Sequence, residues 1–216
     1  MTKKHCDLIH KKSKWVDKYH YVIWSGGLDS TYLLDQIARI YSTQEQQAYT
    51  ISFIYPHIDK NKELMERRAR KKYLSYARKK GYNIESFVLN IADAPPMGGR
   101  GLKQQIMWMF LSLPYVWDNS VMHFGYVRKD DFWHYRHRFD KIAKQIGKIK
   151  ELSSIEIAYD LEDVDKSNLI GKIPDGMFWY CESPKKIKKR IVPCGTCCCC
   201  VTHKVAEYRK SLVDEA

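Results

Sequence analysis

Short apolar, β-prone runs along the chain alternate with longer stretches in which apolar residues recur every three or four positions. The first run is residues 21–24, and the leucines and isoleucines that follow it keep helical spacing as far as Tyr41. The predicted strands are residues 21–24, 48–55, 84–90, 121–126 and 154–158. The predicted helices are residues 28–41, 62–80, 104–117 with a break near Pro114, 140–149, 161–170 and 202–212. This alternation is typical of an α/β fold with a parallel sheet and helices on both faces.

The same pattern divides the chain into a polar, basic lead-in at residues 1–18, an α/β domain at 19–160 and a C-terminal segment at 161–216. Ligands of parallel sheets bind beyond the carboxyl ends of the strands, so Gly125 at the end of the fourth strand is expected near a ligand. Residues 92–101 contain two prolines and three glycines and predict an irregular loop.

The basic helix predicted at residues 62–80 ends before Gly81, a typical helix stop. Its apolar stripe is predicted to comprise Leu64, Arg68, Tyr73, Leu74 and Ala77.

The sequence Ser25-Gly26-Gly27-Leu28-Asp29-Ser30 connects the first strand to the first helix. Its glycines permit backbone angles that other residues resist, and a helix N-terminus with free N–H groups binds anions. A phosphate or pyrophosphate is therefore the expected ligand. The sequence has neither the Gly-Lys-Ser/Thr ending of the Walker motif nor the GxGxxG dinucleotide fingerprint.

The net charge of the chain indicates which classes of binding partner to expect. The 37 Lys and Arg residues exceed the 25 Asp and Glu residues, for a net charge of +12. This charge suits nucleic acid, or ATP with a carboxylate substrate; charges on helix faces are more often solvated, so direct nucleic-acid binding is not favoured. The sequence shows no apolar run of membrane-spanning length and no secretory-type N-terminus, so we expect a soluble cytoplasmic protein with no membrane partner.

Four of the seven cysteines are consecutive, which favours a metal site in a reducing compartment over disulfides. The set whose spacing suits tetrahedral zinc is Cys181, Cys194, Cys197 and Cys200. In this pattern Cys198 or Cys199 could replace a neighbour. Buried structural thiols, a redox pair and an iron–sulfur cluster are the alternatives. A site with four cysteines has no open position, so the metal is expected to be structural.

Residues 25–30 resemble, at every specified position, the SGGxDS loop of the ATP-pyrophosphatase (PP-loop) superfamily. Those enzymes split ATP between its α and β phosphates to adenylate a substrate. The resemblance implies that the loop holds the departing pyrophosphate. It also implies that Asp29 binds Mg²⁺, directly or through water.

From about Tyr21 to His203 the chain also resembles the 7-cyano-7-deazaguanine synthase family of this superfamily. The shared features are SGGLDS, Gly99-Arg100 before an apolar helix, an aspartate after Gly125, Lys166 and the CGxCxxC tail. In that family a carboxylated deazaguanine is adenylated, ammonia displaces AMP, and a second ATP-dependent step gives the nitrile. The resemblance implies an ATP-dependent carbon–nitrogen ligase of queuosine biosynthesis, a homodimer that uses ATP, Mg²⁺ and structural zinc.

The resemblance also implies roles for individual residues. The implied ATP-binding residues are Trp24, Ser25, Gly26, Gly27, Leu28, Asp29, Ser30, Ser52, Arg100 and Gly125. The implied catalytic residues are Asp29, Ser30, Arg100 and Lys166, of which Arg100 and Lys166 are candidates to neutralise charge at the α-phosphate. The implied deazaguanine-binding residues are Asp130, Asp131, Phe132 and Trp133, and ordinary packing is the equal alternative for the two rings.

The chain departs from the family pattern in three places. Residues 130–138 stand where the family reads D-x-S-G-Y-P-D-C-R, and they keep Asp130 but lack the proline-aspartate-cysteine element. His203 replaces an arginine, and residues 55–57 replace a Tyr-Gly-Gln-Arg-His signature. Two alternatives therefore stay open. One is a related enzyme that stops at the amide or transfers the activated deazaguanine to a macromolecular amine. The other is a PP-loop zinc protein that modifies tRNA, which only the basic charge supports.

Overall fold

The structure, a computed structural model, describes residues 15, 17–42, 46–54, 59–91, 104–149 and 155–214. The irregular loop predicted at residues 92–101, with Arg100 in it, lies outside these ranges, as do residues 55–57 and most of the predicted lead-in. Among the described residues, no helix combines the length and the apolar character that crossing a membrane requires.

Five parallel strands form the main sheet, in the order β3-β2-β1-β4-β5. They are β1 (Tyr19–Ile23), β2 (Ala48–Ile54), β3 (Ile84–Asn90), β4 (Ser120–His123) and β5 (Glu156–Ala158). The chain adds β2 and β3 on one side of β1 and then returns to add β4 and β5 on the other side. The order therefore reverses between β1 and β4, and ligands of such sheets bind at this point, beyond the carboxyl ends of the strands.

Helices cover both faces of this sheet, as the alternating pattern predicts. They are α1 (Leu28–Tyr41), α2 (Lys60–Lys79), α3 (Gln104–Ser112), α4 (Arg136–Ile149) and α5 (Cys198–Asp214). The side chains of β1 alternate between two apolar clusters: Tyr21 packs with residues of α3 and α4, and Val22 packs with residues of α1 and α2. Because β1 is buried on both sides, the loop that follows it is held in place by both layers.

The prediction of a helix at residues 161–170 is wrong. The segment forms turns and a single 3₁₀ turn, Lys166–Leu169. Asp165 caps this turn by accepting hydrogen bonds from the backbone N–H and the hydroxyl of Ser167. Such local bonds compete with helix propagation, which explains the difference. Apolar residues of this segment, including Leu161, Val164 and Leu169, pack in the cluster that contains α1.

The break expected near Pro114 is confirmed. The helix that begins at Gln104 ends at Ser112, and Pro114 lies in a 3₁₀ turn, Leu113–Tyr115. The basic run at residues 185–190 contributes to an antiparallel hairpin of β6 (Lys185–Ile187) and β7 (Arg190–Val192).

The buried face of α2 also differs from the predicted stripe. Arg68 is exposed, whereas the charged residues Glu66 and Arg70 are buried beside Tyr73 and Ala77. Hydrophobicity alone could not predict this face, because Arg70 is buried against the loop that follows β1 and Glu66 pairs with Lys62 and Arg70.

Candidate functional site

The loop after β1 is fixed by backbone contacts with its neighbours. The N–H of Trp24 extends the sheet by donating to the carbonyl of Ile51 at 2.9 Å, and the Ser52 hydroxyl donates to the carbonyl of Trp24 at 2.7 Å. Next, the Arg70 guanidinium donates to the carbonyl of Ser25 at 2.8 Å. The buried cation on α2 therefore holds the first residue of the SGGLDS loop.

Gly26 has the backbone conformation that the turn requires. Its φ is +89°, in the left-handed region that favours glycine. A Cβ atom at this position would lie 3.1 Å from Cγ of Arg70 and 3.3 Å from the carbonyl oxygen of Glu66. The position therefore excludes side chains through both its backbone angle and its surroundings.

The loop presents hydroxyl and N–H groups at the start of α1. The Ser25 and Ser30 hydroxyls lie 3.0 Å apart, and the N–H of Gly27 donates to the Ser25 hydroxyl at 3.2 Å. Gly27 is the N-cap residue of α1, and no side chain of the described residues caps the helix there. The first-turn N–H groups are therefore left for another acceptor, as an anion site requires.

Gly125 lies directly against this helix start. A Cβ atom on Gly125 would lie 3.1 Å from the Cα and 3.2 Å from the backbone N of Ser30. Only glycine lets the chain after β4 approach α1 so closely. The residue therefore occupies the carboxyl edge where the sequence predicts it, while its contact with ATP stays a prediction.

Lys166 and Asp29 form an ion pair beside the start of α1. The Lys166 ammonium donates to Oδ2 of Asp29 at 2.9 Å, and each side chain is about one-fifth exposed. Burial lowers the pKa of Lys166, but the Asp29 carboxylate, with smaller contributions from Cys199 and Asp130, raises the pKa above its ordinary value. The other oxygen, Oδ1 of Asp29, is buried and has no hydrogen-bond partner among the described residues. The pair therefore combines a fixed cation with an acceptor atom that a ligand could use.

Asp130 lies near this pair and caps the short 3₁₀ helix Asp131–His134 by accepting the N–H of Phe132. Burial raises the pKa of Asp130 to about 6, against the effect of the Phe132 N–H and with the help of the Asp131 and Asp29 carboxyls. The carboxyl can therefore exchange its proton near neutral pH.

The two aromatic residues after Asp131 are packed in the core. Phe132 is fully buried, and its ring stacks on Tyr126 at a centroid distance of 3.9 Å. The indole N–H of Trp133 donates to the carbonyl of Val127 at 2.8 Å. Neither ring lines the cavity beside Asp130, so packing accounts for their positions and ligand stacking stays a prediction.

These groups surround one cavity of about 1170 Å³. Residues from several parts of the chain line it, among them the loop after β1, the segment 127–131 after β4, the helices α2 and α3, and the C-terminal segment with Lys166 and α5. Typical small-molecule sites have volumes of about 300–1,000 Å³, so the cavity has room for a nucleotide and a second small molecule.

Lys62, Glu66 and Glu182 form a charged part of the cavity wall that the sequence analysis did not predict. The Lys62 ammonium bonds to the carboxylate of Glu182 and lies 3.6 Å from that of Glu66. Burial raises the pKa of Glu66, and the Lys62 and Arg70 cations oppose this effect. The spacing of four residues from Lys62 to Glu66 and on to Arg70 is the sequence signal that could have identified this face of α2.

The four cysteines predicted as a set do come together. The sulfur atoms of Cys181, Cys194, Cys197 and Cys200 all lie within 4.8 Å of one another. Backbone N–H groups support them, since Cys194 donates to the sulfur of Cys181 and Cys197 donates to the sulfur of Cys194, each at 3.2 Å. These N–H groups would stabilise thiolates, so the arrangement suits metal binding.

The structure also selects one of the cysteine registers that the sequence leaves open. Cys198 and Cys199, at the start of α5, lie outside the four-cysteine set and line the cavity. Burial, followed by the Glu182 carboxylate, raises the pKa of the Cys199 thiol to about 12. A backbone bond of 2.8 Å from the N–H of Trp179 to the carbonyl of Gly26 connects the segment before Cys181 to the SGGLDS loop. The cysteine cluster and the cavity are therefore neighbouring parts of one structure.

His203 is packed close to the cluster and does not line the cavity. Its ring stacks on Tyr180 at a centroid distance of 3.9 Å, and it lies 3.4 Å from the carboxylate of Glu207. Burial lowers the pKa of His203.

Comparisons with known proteins support the fold. No protein-family model and no curated protein matches the chain. Among solved structures, U34-tRNA thiolase NcsA from Methanococcus maripaludis, determined with its 4Fe–4S cluster, is similar with a TM-score of 0.50 and 11% identity; the match covers 98% of this chain and 75% of that chain. A universal stress protein family member from Burkholderia pseudomallei has a TM-score of 0.40 and 8% identity, over 68% and 97% of the two chains. At 11% identity the likeness to the thiolase shows the fold alone. The predicted α/β class, with a parallel sheet and a C-terminal cysteine cluster suited to a metal, is confirmed.

Proposed function

We propose that the protein is an ATP-dependent ligase that adenylates 7-carboxy-7-deazaguanine and condenses it with ammonia to form 7-cyano-7-deazaguanine. The observation that carries this proposal is the position of SGGLDS. The loop starts α1 at the switch point of the sheet, with the Lys166–Asp29 pair beside it in a cavity of about 1170 Å³. The resemblance to PP-loop enzymes gives this arrangement its chemistry.

Adenylation would make the carboxylate reactive toward ammonia. A carboxylate is a poor electrophile because oxide and hydroxide are poor leaving groups. Transfer of AMP to the carboxylate creates a mixed anhydride, from which AMP leaves readily. The first-turn N–H groups of α1, with the Ser25 and Ser30 hydroxyls, would hold the departing pyrophosphate, and Lys166 would offset charge at the α-phosphate. Asp29, with its buried Oδ1 atom, would bind Mg²⁺.

Recognition of the deazaguanine is assigned to the carboxyl groups after β4. The guanidine-like edge of a deazaguanine presents N–H donors, and Asp130 is a partly buried acceptor on the cavity wall. Asp131 lines the same wall. Charged acceptors that are shielded from water bind such donors more strongly than exposed ones do.

We infer that the metal is a single structural Zn²⁺ ion. Thiolates at about 2.3 Å from zinc in a tetrahedron lie about 3.8 Å apart. The sulfur pairs Cys194–Cys200 and Cys181–Cys197 are each separated by 3.9 Å. A four-iron cluster is larger than one ion and needs its ligands further apart, so the spacing favours zinc. When bound, zinc would hold together residues 181–200 of the C-terminal segment and would take no part in the reaction.

Incubation with ATP, ammonium and 7-carboxy-7-deazaguanine, followed by mass spectrometry, tests the proposal. Nitrile with AMP and pyrophosphate is the expected result, and the variant Asp29→Asn should lose it. Amide alone would indicate an enzyme that stops at the first condensation. AMP release that requires added tRNA would contradict the proposal and favour tRNA modification, the activity of the U34-tRNA thiolase that has a similar fold.

A further inference from the structure

The hairpin of β6 and β7 carries a dense group of cations. Residues 183–206 contain no aspartate or glutamate. The exposed basic side chains of the hairpin are Lys185, Lys186, Lys188, Lys189 and Arg190. Within the part of the chain that the structure describes, none of them has an ion pair or a side-chain hydrogen bond. In contrast, Lys62, Arg136 and Lys166 each pair with a carboxylate, so the hairpin differs from other basic parts of the surface.

The cations point in several directions from this small element. Alternation along the strands and the register between them put Lys185 and Arg190 on one face and Lys186 on the opposite face. Lys188 and Lys189 form the turn that joins the strands. Positive charge on both faces and at the tip can contact several phosphate groups of one polyanion at the same time.

The turn of the hairpin has lysine where its backbone favours glycine. The φ angle of Lys188 is +54°, in the left-handed region. Two-residue hairpin turns that need a positive φ at their first central position usually have glycine there. A side chain at such a position strains the backbone, and strain of this kind is concentrated at functional positions. The chain therefore keeps a cation at a position where glycine would fit the backbone better.

The base of the hairpin is held closed and lies near the cavity. Strands of three residues are too short to be stable as an isolated hairpin. The N–H of Cys194, after β7, donates to the sulfur of Cys181, before β6, at 3.2 Å, and this contact joins the two ends. Glu182 lines the cavity, and three residues of chain reach at most about 11 Å, so Lys185 begins the hairpin close to the cavity.

We propose that the β6–β7 hairpin binds the phosphate backbone of a nucleic acid. Lysine and arginine side chains bind phosphates through charge and N–H donors, and the release of counterions adds to the affinity. Basic charges on helix faces are more often solvated, but these cations lie on a hairpin. A strand bound there would lie beside the cavity. The inference is independent of the proposed ligase reaction.

Other anionic partners fit this surface less well. Protein interfaces are depleted in lysine and have an apolar core. Binding at a membrane surface needs a broad apolar face beside the cations. Within residues 185–192, Ile187 is the only exposed apolar side chain, so the hairpin offers neither feature.

The salt dependence of binding tests the proposal. Fluorescence anisotropy of a labelled single-stranded RNA, an RNA duplex and a DNA duplex measures binding to the full chain at about 50 to 200 mM salt. If each of the five cations contacts one phosphate, the logarithm of the association constant should fall against that of the salt concentration. The slope should be about −4.5 for a duplex and about −3.5 for a single strand. The probe that stays bound at the higher salt identifies the kind of nucleic acid. No binding of any probe at the lower salt, or a slope near zero, would overturn the proposal.

A matched pair of variants assigns the binding to the hairpin. The hairpin variant combines Lys186→Gln, Lys188→Gln and Lys189→Gln. The control combines Lys141→Gln, Lys144→Gln and Lys148→Gln, which removes the same charge from exposed positions of α4. The hairpin variant should bind with a slope that is less steep by about 2–3, because each phosphate contact contributes about 1. The control should keep the slope of the wild type. Equal losses in the two variants would contradict a specific site.

The variant Lys188→Gly separates binding from folding. Glycine relieves the backbone strain, so amide hydrogen exchange in β6 and β7 should show equal or stronger protection. The same variant should bind nucleic acid less tightly, with a slope that is less steep by about 1. Unchanged binding would contradict a contact between Lys188 and phosphate.

Two further measurements distinguish the alternatives. ATP–pyrophosphate exchange and metal content should be unchanged in every hairpin variant, so failure of the proposed ligase reaction and failure of this inference are observed separately. Vesicles of phosphatidylserine and phosphatidylcholine replace the nucleic acid in a parallel experiment. Vesicle binding that the hairpin variant loses, with no binding of any nucleic acid, would overturn the proposal and favour a membrane surface.

Discussion

The Lys166 ammonium donates to Oδ2 of Asp29 at 2.9 Å, although the two residues are 137 positions apart in the sequence. Asp29 lies in the first turn of α1, and Lys166 begins the 3₁₀ turn that replaces a predicted helix. The contact brings the C-terminal segment to the SGGLDS loop. It also puts a cation beside the expected position of the ATP phosphates.

Removal of this cation should stop adenylation. For Lys166→Ala we expect ATP–pyrophosphate exchange to fall at least about 100-fold, because a fixed charge at a reacting centre typically contributes that much. Exposed Lys172, three residues after the turn, offers a matched control. Lys172→Ala should keep full exchange, and an equal loss in both variants would contradict a specific role for Lys166.

The contact between Gly125 and Ser30 predicts that Gly125→Ala displaces the loop. The new methyl group would meet backbone atoms at 3.1–3.3 Å, which cannot move aside as a side chain can. We expect the free energy of unfolding to fall by about 1–3 kcal/mol, as for overpacking. Exchange should fall by up to about 100-fold, since small displacements of reacting groups are costly.

A second variant, Gly81→Ala, separates the loss of stability from the loss of exchange that we expect for Gly125→Ala. Gly81 has a φ of +80° and open space around its Cβ position. Alanine there should cost about 1–2 kcal/mol of stability through its backbone angle alone. Denaturant unfolding should therefore show similar losses for the two variants, and exchange should fall only in Gly125→Ala. Normal exchange in Gly125→Ala would exclude the tight contact.

Asp130 should make stability depend on pH. Burial raises its pKa from 3.8 to about 6 in the folded protein, so between these values the folded state binds more protons than the unfolded state. Its contribution therefore becomes less favourable as pH rises from about 4 to above 6. Asp130→Asn keeps an oxygen for the N–H of Phe132 and removes the charge. The variant should gain free energy of unfolding, relative to the wild type, as pH rises through this range.

Urea unfolding at pH 4.5 and at pH 8 measures this difference. Asp163→Asn, which removes an exposed carboxylate on a nearby turn, is the matched control. A relative stability of Asp130→Asn that is constant or decreases with pH would contradict a raised pKa at Asp130.

The cysteine cluster predicts one metal ion per chain. Cys194→Ser removes a ligand, so we expect loss of the metal and unfolding of the C-terminal segment, because structural zinc contributes on the order of 10 kcal/mol in small zinc-binding domains. Hydrogen exchange should then show loss of protection in α5. Cys198→Ser is the matched control and should retain the metal and the protection. A folded Cys194→Ser protein with unchanged α5 protection would exclude a structural metal.

The elements with strong local patterns were predictable from the sequence. The bounds of β3 and α1 agree with the pattern, because short-range periodicity decides them. A cluster of cysteines near the C-terminus was also predictable, because Cys-x-x-Cys spacing brings sulfurs together locally. The position of SGGLDS follows from the apolar run before it and the helical spacing after it.

The tertiary structure decided which residues share the cavity. The Lys62–Glu182 bond joins residues 120 positions apart, and no local pattern predicts such a contact. The same is true of Arg70, whose burial depends on the carbonyl of Ser25 as its partner. The sequence alone does not distinguish Cys198 and Cys199 from the neighbouring cysteines as metal ligands. Only the direction of α5 separates them from the metal-binding set and turns them toward the cavity. Local interactions fix the elements of this protein, whereas long-range packing fixes the groups that can act together.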